Sequence, residues 1–227
     1  MNLGLYKYVY LIGVGGIGMS ALARYFNAKG MYVFGYDKLK SDLCLELERE
    51  GIIINTKDQV LDIPDIIKNA RYTDVLVIYT PAIPEENQII SFFKDKMYKV
   101  FKRAEILGLI SRQLFTIAVA GTHGKTTTST MLAHILKQAG KEATAFLGGI
   151  SRNYNTNLLL SKKSDILIVE ADEFDRSFLE IYPEIAIITS VDIDHLDVYR
   201  DENDLKLAFI QFASQVKNFL IIEKSLS

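Results

Sequence analysis

Short apolar runs alternate with helix-like segments along the first half of the chain. The strand-like runs are 8–12, 32–36, 52–54, 75–79 and 99–101, and the helix-like segments are 17–28, 41–50, 64–70 and 85–96. The runs are continuously apolar, which is typical of strands buried on both faces. This pattern predicts βαβ units with a parallel sheet between two helix layers.

The same alternation restarts after residues 103–111, which we predict as a helix linking two units. Further strands are predicted at 115–120, 144–147, 166–169, 185–191 and 219–222, the last three of the buried type, and further helices at 125–139 and 202–216. The last helix has one apolar stripe, with Asp201 as a candidate N-cap, formed by Leu205, Phe209, Phe212 and Val216. We predict an α/β protein of two successive three-layer units with mostly parallel sheets, divided into residues 1–110 and 111–227.

Composition narrows the class of protein. The 227 residues are 49% hydrophobic and 24% charged, with a net charge of −2, which is typical of a globular chain without a broad basic surface. We therefore expect no nucleic-acid partner. No apolar run approaches the length of a membrane span, so we expect no membrane partner and a cytoplasmic location. One cysteine, Cys44, cannot form an internal disulfide, and its apolar neighbours predict a buried structural thiol.

A first glycine loop follows the first predicted strand. Residues 13–18 match G-x-G-x-x-G, and Asp37 closes the second strand 19 residues beyond Gly18. Glycines at this position let backbone amides approach a diphosphate at a helix N-terminus, and the acid can accept from a ribose hydroxyl. The loop is compatible with NAD, FAD or a UDP-sugar, and also with a tight turn that binds nothing.

A second glycine loop lies between the predicted strand 115–120 and the next helix. Its sequence, residues 121–128, reads Gly-Thr-His-Gly-Lys-Thr-Thr-Thr. Lysine supplies a point charge for nucleotide phosphates, and the following threonine hydroxyl can ligate Mg²⁺. The spacing is G-x-x-G-K-T, because Val119 stands where the longer phosphate-loop motif has glycine. The alternative is a polar loop with an exposed lysine.

Acidic residues follow two later strands at the edge where the loops of a parallel sheet meet. The first group is Glu170, Asp172, Glu173 and Asp175, and the second is Asp192, Asp194, His195 and Asp197. Mg²⁺ takes oxygen ligands and shares them with nucleotide phosphates, so acids beside a phosphate loop predict a metal site. Most single acids here are expected to be solvated, whereas His195 is a candidate neighbour of metal or phosphate.

Five ordered motifs together resemble the Mur ligases. They are residues 13–20, 103–105, 121–127, 170–173 and 194–197. The resemblance implies a Rossmann-like UDP-sugar domain, followed by a P-loop ATPase domain and a third domain. It also implies an ATP-dependent acid–amino-acid ligase of peptidoglycan precursor synthesis, and is strongest to the members that use UDP-N-acetylmuramate, L-alanine and ATP.

The same resemblance implies roles for individual residues. The UDP-sugar would bind at Gly13, Gly15, Gly16, Ile17, Gly18, Asp37 and Asn157. ATP would bind at Gly121, Thr122, His123, Gly124, Lys125, Thr126 and Thr127. The implied catalytic residues are Lys125, His195 and His123, and the implied Mg²⁺ ligands are Thr126, Glu170 and His195.

Length bears on the activity expected of the chain alone. Three domains of about 100 to 200 residues each would make a protein roughly twice as long as this one. We therefore expect a partial P-loop domain and an incomplete ligase. Two alternatives remain open: an NAD-binding oxidoreductase or sensor, which leaves residues 121–126 unexplained, and a non-catalytic UDP-sugar-binding fragment.

Overall fold

The computed structural model describes residues 2–84, 86–192 and 198–223. It divides the chain into two compact units, Met1–Ile106 and Leu107–Ser227. The division falls inside helix α5, Arg103–Ser111, four residues before the predicted boundary at residue 110. Across the described ranges, no helix is both long enough and apolar enough to cross a membrane.

The first unit contains a five-stranded parallel sheet in the order β3-β2-β1-β4-β5. Its strands are β1 Tyr8–Ile12, β2 Tyr32–Tyr36, β3 Ile53–Asn55, β4 Val75–Tyr79 and β5 Val100–Lys102. The helices that precede α5 are α1 Ile17–Ala28, α2 Asp42–Arg49, α3 Asp65–Lys68 and α4 Gln88–Asp95. The order reverses at β1, so β1 and β4 form the crevice in which doubly wound sheets bind ligands. The predicted parallel α/β sheet is confirmed.

The strand β1 lies in the middle of the first sheet, between β2 and β4. All five of its residues are buried, as continuous apolar sequence predicts for an interior strand. The Tyr10 ring packs 5.0 Å from the Phe93 ring, and its hydroxyl donates to Asn55 Oδ1 at 2.7 Å. This core fixes the carboxyl end of β1, where the first glycine loop begins.

The second unit contains a six-stranded sheet in the order β11-β10-β6-β9-β7-β8. Its strands are β6 Phe115–Ala120, β7 Thr144–Ser151, β8 Thr156–Leu159, β9 Ile166–Glu170, β10 Ile185–Ile188 and β11 Phe219–Ile222. Its helices are α6 Lys125–Gln138 and α7 Glu202–Ser214. All neighbouring strands are parallel except β7 and β8, which form an antiparallel pair. The prediction of mostly parallel strands is confirmed here as well.

Three predicted strands of the second unit differ from the structure. β7 extends to Ser151 and pairs with β8, which the apolar pattern did not predict because only two of its four residues are apolar. β10 ends at Ile188 instead of residue 191. β11 was predicted as buried, which is wrong: Phe219 is 68% exposed because β11 lies at the sheet edge.

Candidate nucleotide-binding site

The strand order of the second unit brings its functional loops together. β6 lies between β9 and β10, with Val119 beside Glu170 and Ala120 beside Ile188. In a parallel sheet the carboxyl ends of neighbouring strands lie at one edge. The glycine loop after β6 is therefore flanked by the acids that follow β9 and by the residues that follow β10.

The turn from β6 into α6 depends on glycine. Gly124 caps the N-terminus of α6 with φ +80°, a left-handed conformation that side chains disfavour. Gly121 has φ +126°, and a Cβ there would lie 2.8 Å from the backbone nitrogen of Ser190. The turn places Lys125 and Thr126 in the first turn of α6, where the helix dipole and backbone amides favour an anion.

The Lys125 ammonium is bonded inside the loop. Its Nζ donates to the Gly121 carbonyl at 2.7 Å and to the two Glu173 carboxylate oxygens at 3.0 and 2.7 Å. The Glu173 side chain has no solvent exposure, and that of Lys125 is 12% exposed. The charge predicted to contact phosphate is thus paired with a buried carboxylate.

Thr126 and Glu170 form a pair of oxygen donors beside the lysine. The Thr126 hydroxyl lies 3.0 Å from both carboxylate oxygens of Glu170, and the Gly148 amide donates to Oε2 at 2.9 Å. Burial raises the pKa of Glu170, although hydrogen bonds from Thr126 and Gly148 oppose the shift. Two of the three predicted metal ligands, Thr126 and Glu170, therefore lie together.

This donor chemistry fits Mg²⁺, which is commonly held by one or two protein oxygens together with nucleotide phosphates and water. Within the part of the chain that the structure describes, no cluster of three or more histidine, cysteine or acidic side chains is arranged to hold a metal ion. A site built on Thr126 and Glu170 needs oxygen ligands from the nucleotide to complete it.

The middle of the second loop is fixed by residues after β10. The Thr122 hydroxyl lies 2.9 Å from the Ser190 hydroxyl and accepts from the Asp192 amide at 2.9 Å. The His123 amide donates to Ser190 Oγ at 3.0 Å, while the His123 side chain is 70% exposed, with Nε2 3.9 Å from Asp192 Oδ2. The loop backbone is thus held in place while the imidazole stays accessible. Thr127 is also exposed.

The two remaining predicted residues of this unit are His195 and Asn157. His195 lies outside the described residues. Asn157 lies on β8 and is fully buried. Ser190, by contrast, contacts the loop although the sequence pattern placed it inside a strand. The order of parallel strands would have indicated it, because residues following β10 must lie beside the loop that follows β6.

The first glycine loop, in the other unit, is held by its own acidic residue. The Gly15 amide donates to Asp37 Oδ2 at 2.8 Å, and the Leu39 amide donates to Oδ1 at 3.1 Å. A Cβ at Gly15 would lie 2.6 Å from the sulfur of Cys44, which is buried as predicted. Gly13 follows β1, Gly16 caps α1, and Ile17 and Gly18 open that helix. Both oxygens of Asp37 thus bond to backbone amides.

The second unit has the architecture of a phosphate-binding α/β protein of the P-loop kind: a strand, a glycine loop with Lys-Thr at the helix start, and acids on neighbouring strands. Comparison with known proteins identifies the family. A model described as "Mur ligase family, catalytic domain" matches residues 8–114, and one described as "Mur ligase middle domain" matches residues 119–225. The chain belongs to the Mur ligase family.

Similar proteins carry more specific names. The chain is 51% identical to the UDP-N-acetylmuramate–L-alanine ligase of Flavobacterium johnsoniae, covering 100% of this chain and 50% of that protein. It is 50% identical to the same-named protein of Christiangramia forsetii, covering 92% and 46%. The crystal structure of UDP-N-acetylmuramate-alanine ligase from Thermotoga maritima superposes with a TM-score of 0.84 at 29% identity, covering 97% and 50%. The chain spans about half the length of these relatives.

Proposed function

We propose that the chain supplies the UDP-sugar-binding and ATP-binding units of a ligase that joins L-alanine to the muramyl carboxylate of UDP-N-acetylmuramate. Membership of the Mur ligase family and the names of relatives about 50% identical support this proposal. The observation that carries it is the arrangement of Lys125 and Thr126 at the start of α6 beside Glu170 and Glu173. The reaction would be a cytoplasmic step of peptidoglycan precursor synthesis without nucleic-acid or membrane partners.

The two units take different ligands in this proposal. Residues 1–110 bind the UDP-sugar, with its diphosphate against the backbone of residues 13–18 at the N-terminus of α1. Asp37 supports that loop through the Gly15 amide. Residues 111–227 bind ATP through residues 121–127. Asn157 stays a candidate UDP-sugar residue on the family resemblance alone.

Charge stabilisation is the task of the second unit. Transfer of the γ-phosphoryl group spreads negative charge over its oxygens, and Lys125 would contact them as a point charge. Thr126 and Glu170 would hold Mg²⁺, which neutralises phosphate charge when bound. We keep His195 as a candidate for a second ion and His123 as a candidate neighbour of the transferred phosphate, since its backbone is held by Ser190.

The proposed chemistry has two steps. A carboxylate oxygen of the muramyl group attacks the γ-phosphorus of ATP, and the bond from that phosphorus to the β,γ-bridging oxygen breaks. ADP departs as the leaving group, and the product is an acyl phosphate. The amine of L-alanine then attacks the acyl carbon, phosphate leaves from a tetrahedral intermediate, and the nitrogen loses a proton. The main obstacle is to place two anions side by side, so positioning and charge neutralisation are what the loops contribute.

Calorimetric titration of Mg²⁺-ATP into the 227-residue chain tests the ATP-binding unit. We expect Lys125→Met to weaken binding at least tenfold, about 1.4 kcal/mol, because the phosphates lose a charged partner. Lys137→Met is the matched control, since Lys137 is exposed in the last turn of the same helix. Equal affinities for both variants would refute the assignment of the loop.

A parallel titration separates the proposal from the oxidoreductase alternative. UDP-N-acetylmuramate should bind the chain, whereas NADH should not compete with it. Binding of NADH without binding of the UDP-sugar would reject the ligase assignment of the first unit.

A further inference from the structure

The Lys125 ammonium has as many acceptors within hydrogen-bond distance as it has N–H donors. A lysine ammonium has three N–H donors, and Nζ has three acceptors in the structure: the Gly121 carbonyl and both Glu173 oxygens. A phosphate oxygen can therefore bond to Nζ only if one of these acceptors gives way. The Gly121 carbonyl is neutral, whereas Glu173 carries a negative charge. Glu173 is therefore the stronger competitor of phosphate for the Lys125 ammonium.

The position of Glu173 is set by its surroundings. The Tyr199 hydroxyl donates to the Glu173 carbonyl at 2.6 Å, and the Arg176 guanidinium lies over the Tyr199 ring at 5.0 Å. Arg176 also donates to Asp204 of α7 at 2.6 Å. Asp175 and Arg176 have φ values of +53° and +55°, in the left-handed region that non-glycine residues disfavour. Such a conformation persists only where contacts with the surrounding structure hold it. These contacts hold the buried carboxylate against the lysine.

We propose that Glu173 is a specificity-determining residue that makes the Lys125 loop discriminate against phosphate without a bound divalent cation. A bare polyphosphate must displace a buried carboxylate and enter beside a second one, Glu170. A polyphosphate that carries a divalent cation has less net negative charge, and Glu170 and Glu173 attract the cation. This inference deepens the proposed ATP site and rests on it.

Asp172 provides a matched control for this proposal. It carries the same charge one residue earlier, but its carboxylate lies 4.0 Å from Nζ and its side chain is 39% exposed. Solvent screens such a charge far more than it screens a buried ion pair. Removing the Asp172 charge should therefore have a small effect, whereas removing the Glu173 charge should have a large one.

The test titrates inorganic tripolyphosphate into the chain in EDTA, so that neither adenine recognition nor a metal contributes. We expect Glu173→Gln to bind it at least tenfold more tightly than the wild type, because the competing charge is gone. Asp172→Asn should change the affinity less than threefold. Equal affinity for Glu173→Gln and wild type, or no binding by any variant, would overturn the proposal.

A second measurement follows the lysine itself. Acetylation of Lys125 by an N-hydroxysuccinimide ester, quantified by mass spectrometry, should be at least fivefold faster in Glu173→Gln, with Lys137 unchanged. If Glu173→Gln does not fold, Glu173→Asp replaces it, since a carboxylate shorter by one methylene also loosens the pair. Unchanged acetylation and tripolyphosphate affinity in that variant would reject the inference.

The outcomes distinguish the two proposals. Failure of the wild type to bind Mg²⁺-ATP counts against the proposed function. Tighter binding of tripolyphosphate by Glu173→Gln in the same experiments would still support the role of Glu173 as the competitor for Lys125.

Discussion

Gly148 shows how a residue without a side chain determines the position of a charged one. It lies directly against the Glu170 carboxylate, and a Cβ there would approach the carboxyl carbon to 2.5 Å. We predict that Gly148→Ala displaces Glu170 from Thr126 and lowers the affinity for Mg²⁺-ATP at least tenfold, as measured by calorimetry. Gly149→Ala is the control, since its Cβ would meet Thr126 Cγ2 at 3.4 Å. Equal affinities for the two variants would contradict this role of Gly148.

Single residues were predictable where local chemistry defines them. Lys125 and Thr126 were predicted from the second glycine loop, and Glu170 from its place after a strand together with the family resemblance. The structure places the three in one group. The pairing of Glu173 with Lys125 was not predicted, because a sequence shows a cluster of acids without showing which one is buried. Ser190 was also missed, because its role depends on the order of strands in the sheet.

Glu184 connects several elements at the amino ends of β6 and β10. Its carboxylate accepts from the Thr116 amide at 2.7 Å and from Lys217 at 2.6 Å. Burial alone would raise the pKa of Glu184, but the hydrogen bonds from Lys217 and Thr116 outweigh it and lower the pKa below 4.5. The carboxylate therefore stabilises the fold above the ordinary pKa, and this contribution is lost as the pH falls through the lowered value.

We accordingly predict that the wild type exceeds Glu184→Gln in stability at pH 7 and that the difference shrinks below about pH 4.5. Urea denaturation at a series of pH values measures it. Lys141→Met, which removes an exposed lysine of the same unit, serves as the control and should show no such pH dependence. A constant difference between wild type and Glu184→Gln would count against the linkage.

Elements were predictable where burial and local capping act together. The apolar run of β1 and the bounds of α1 agree with the structure because both lie in the core. Helix α4 starts at Gln88 instead of residue 85, since the Asn87 side chain caps it by accepting from the Ile90 amide at 2.9 Å. The exposure of edge strands was harder to predict. β11 is as continuously apolar as an interior strand, and only its place at the edge of the sheet leaves it exposed to solvent.

The exposed edge strand affects the behaviour of the whole chain in solution. Phe219, Leu220 and Ile221 are 68%, 40% and 54% exposed on the outermost strand of the second sheet. An apolar edge strand favours pairing with another chain. We predict that Ile221→Lys reduces concentration-dependent self-association in sedimentation velocity. Leu61→Lys, at an exposed apolar site in the first unit, should leave it unchanged. Similar effects of both variants would argue against edge pairing.

Asp37 has a consequence for how the first unit responds to a ligand. Because its carboxylate already bonds to the Gly15 and Leu39 amides, the loop is preorganised by an internal anion. A diphosphate that binds there would meet a loop already ordered around the Asp37 carboxylate. Its binding would therefore order little of the chain. The heat capacity change of binding should then report buried ligand surface and contain no contribution from folding of the loop.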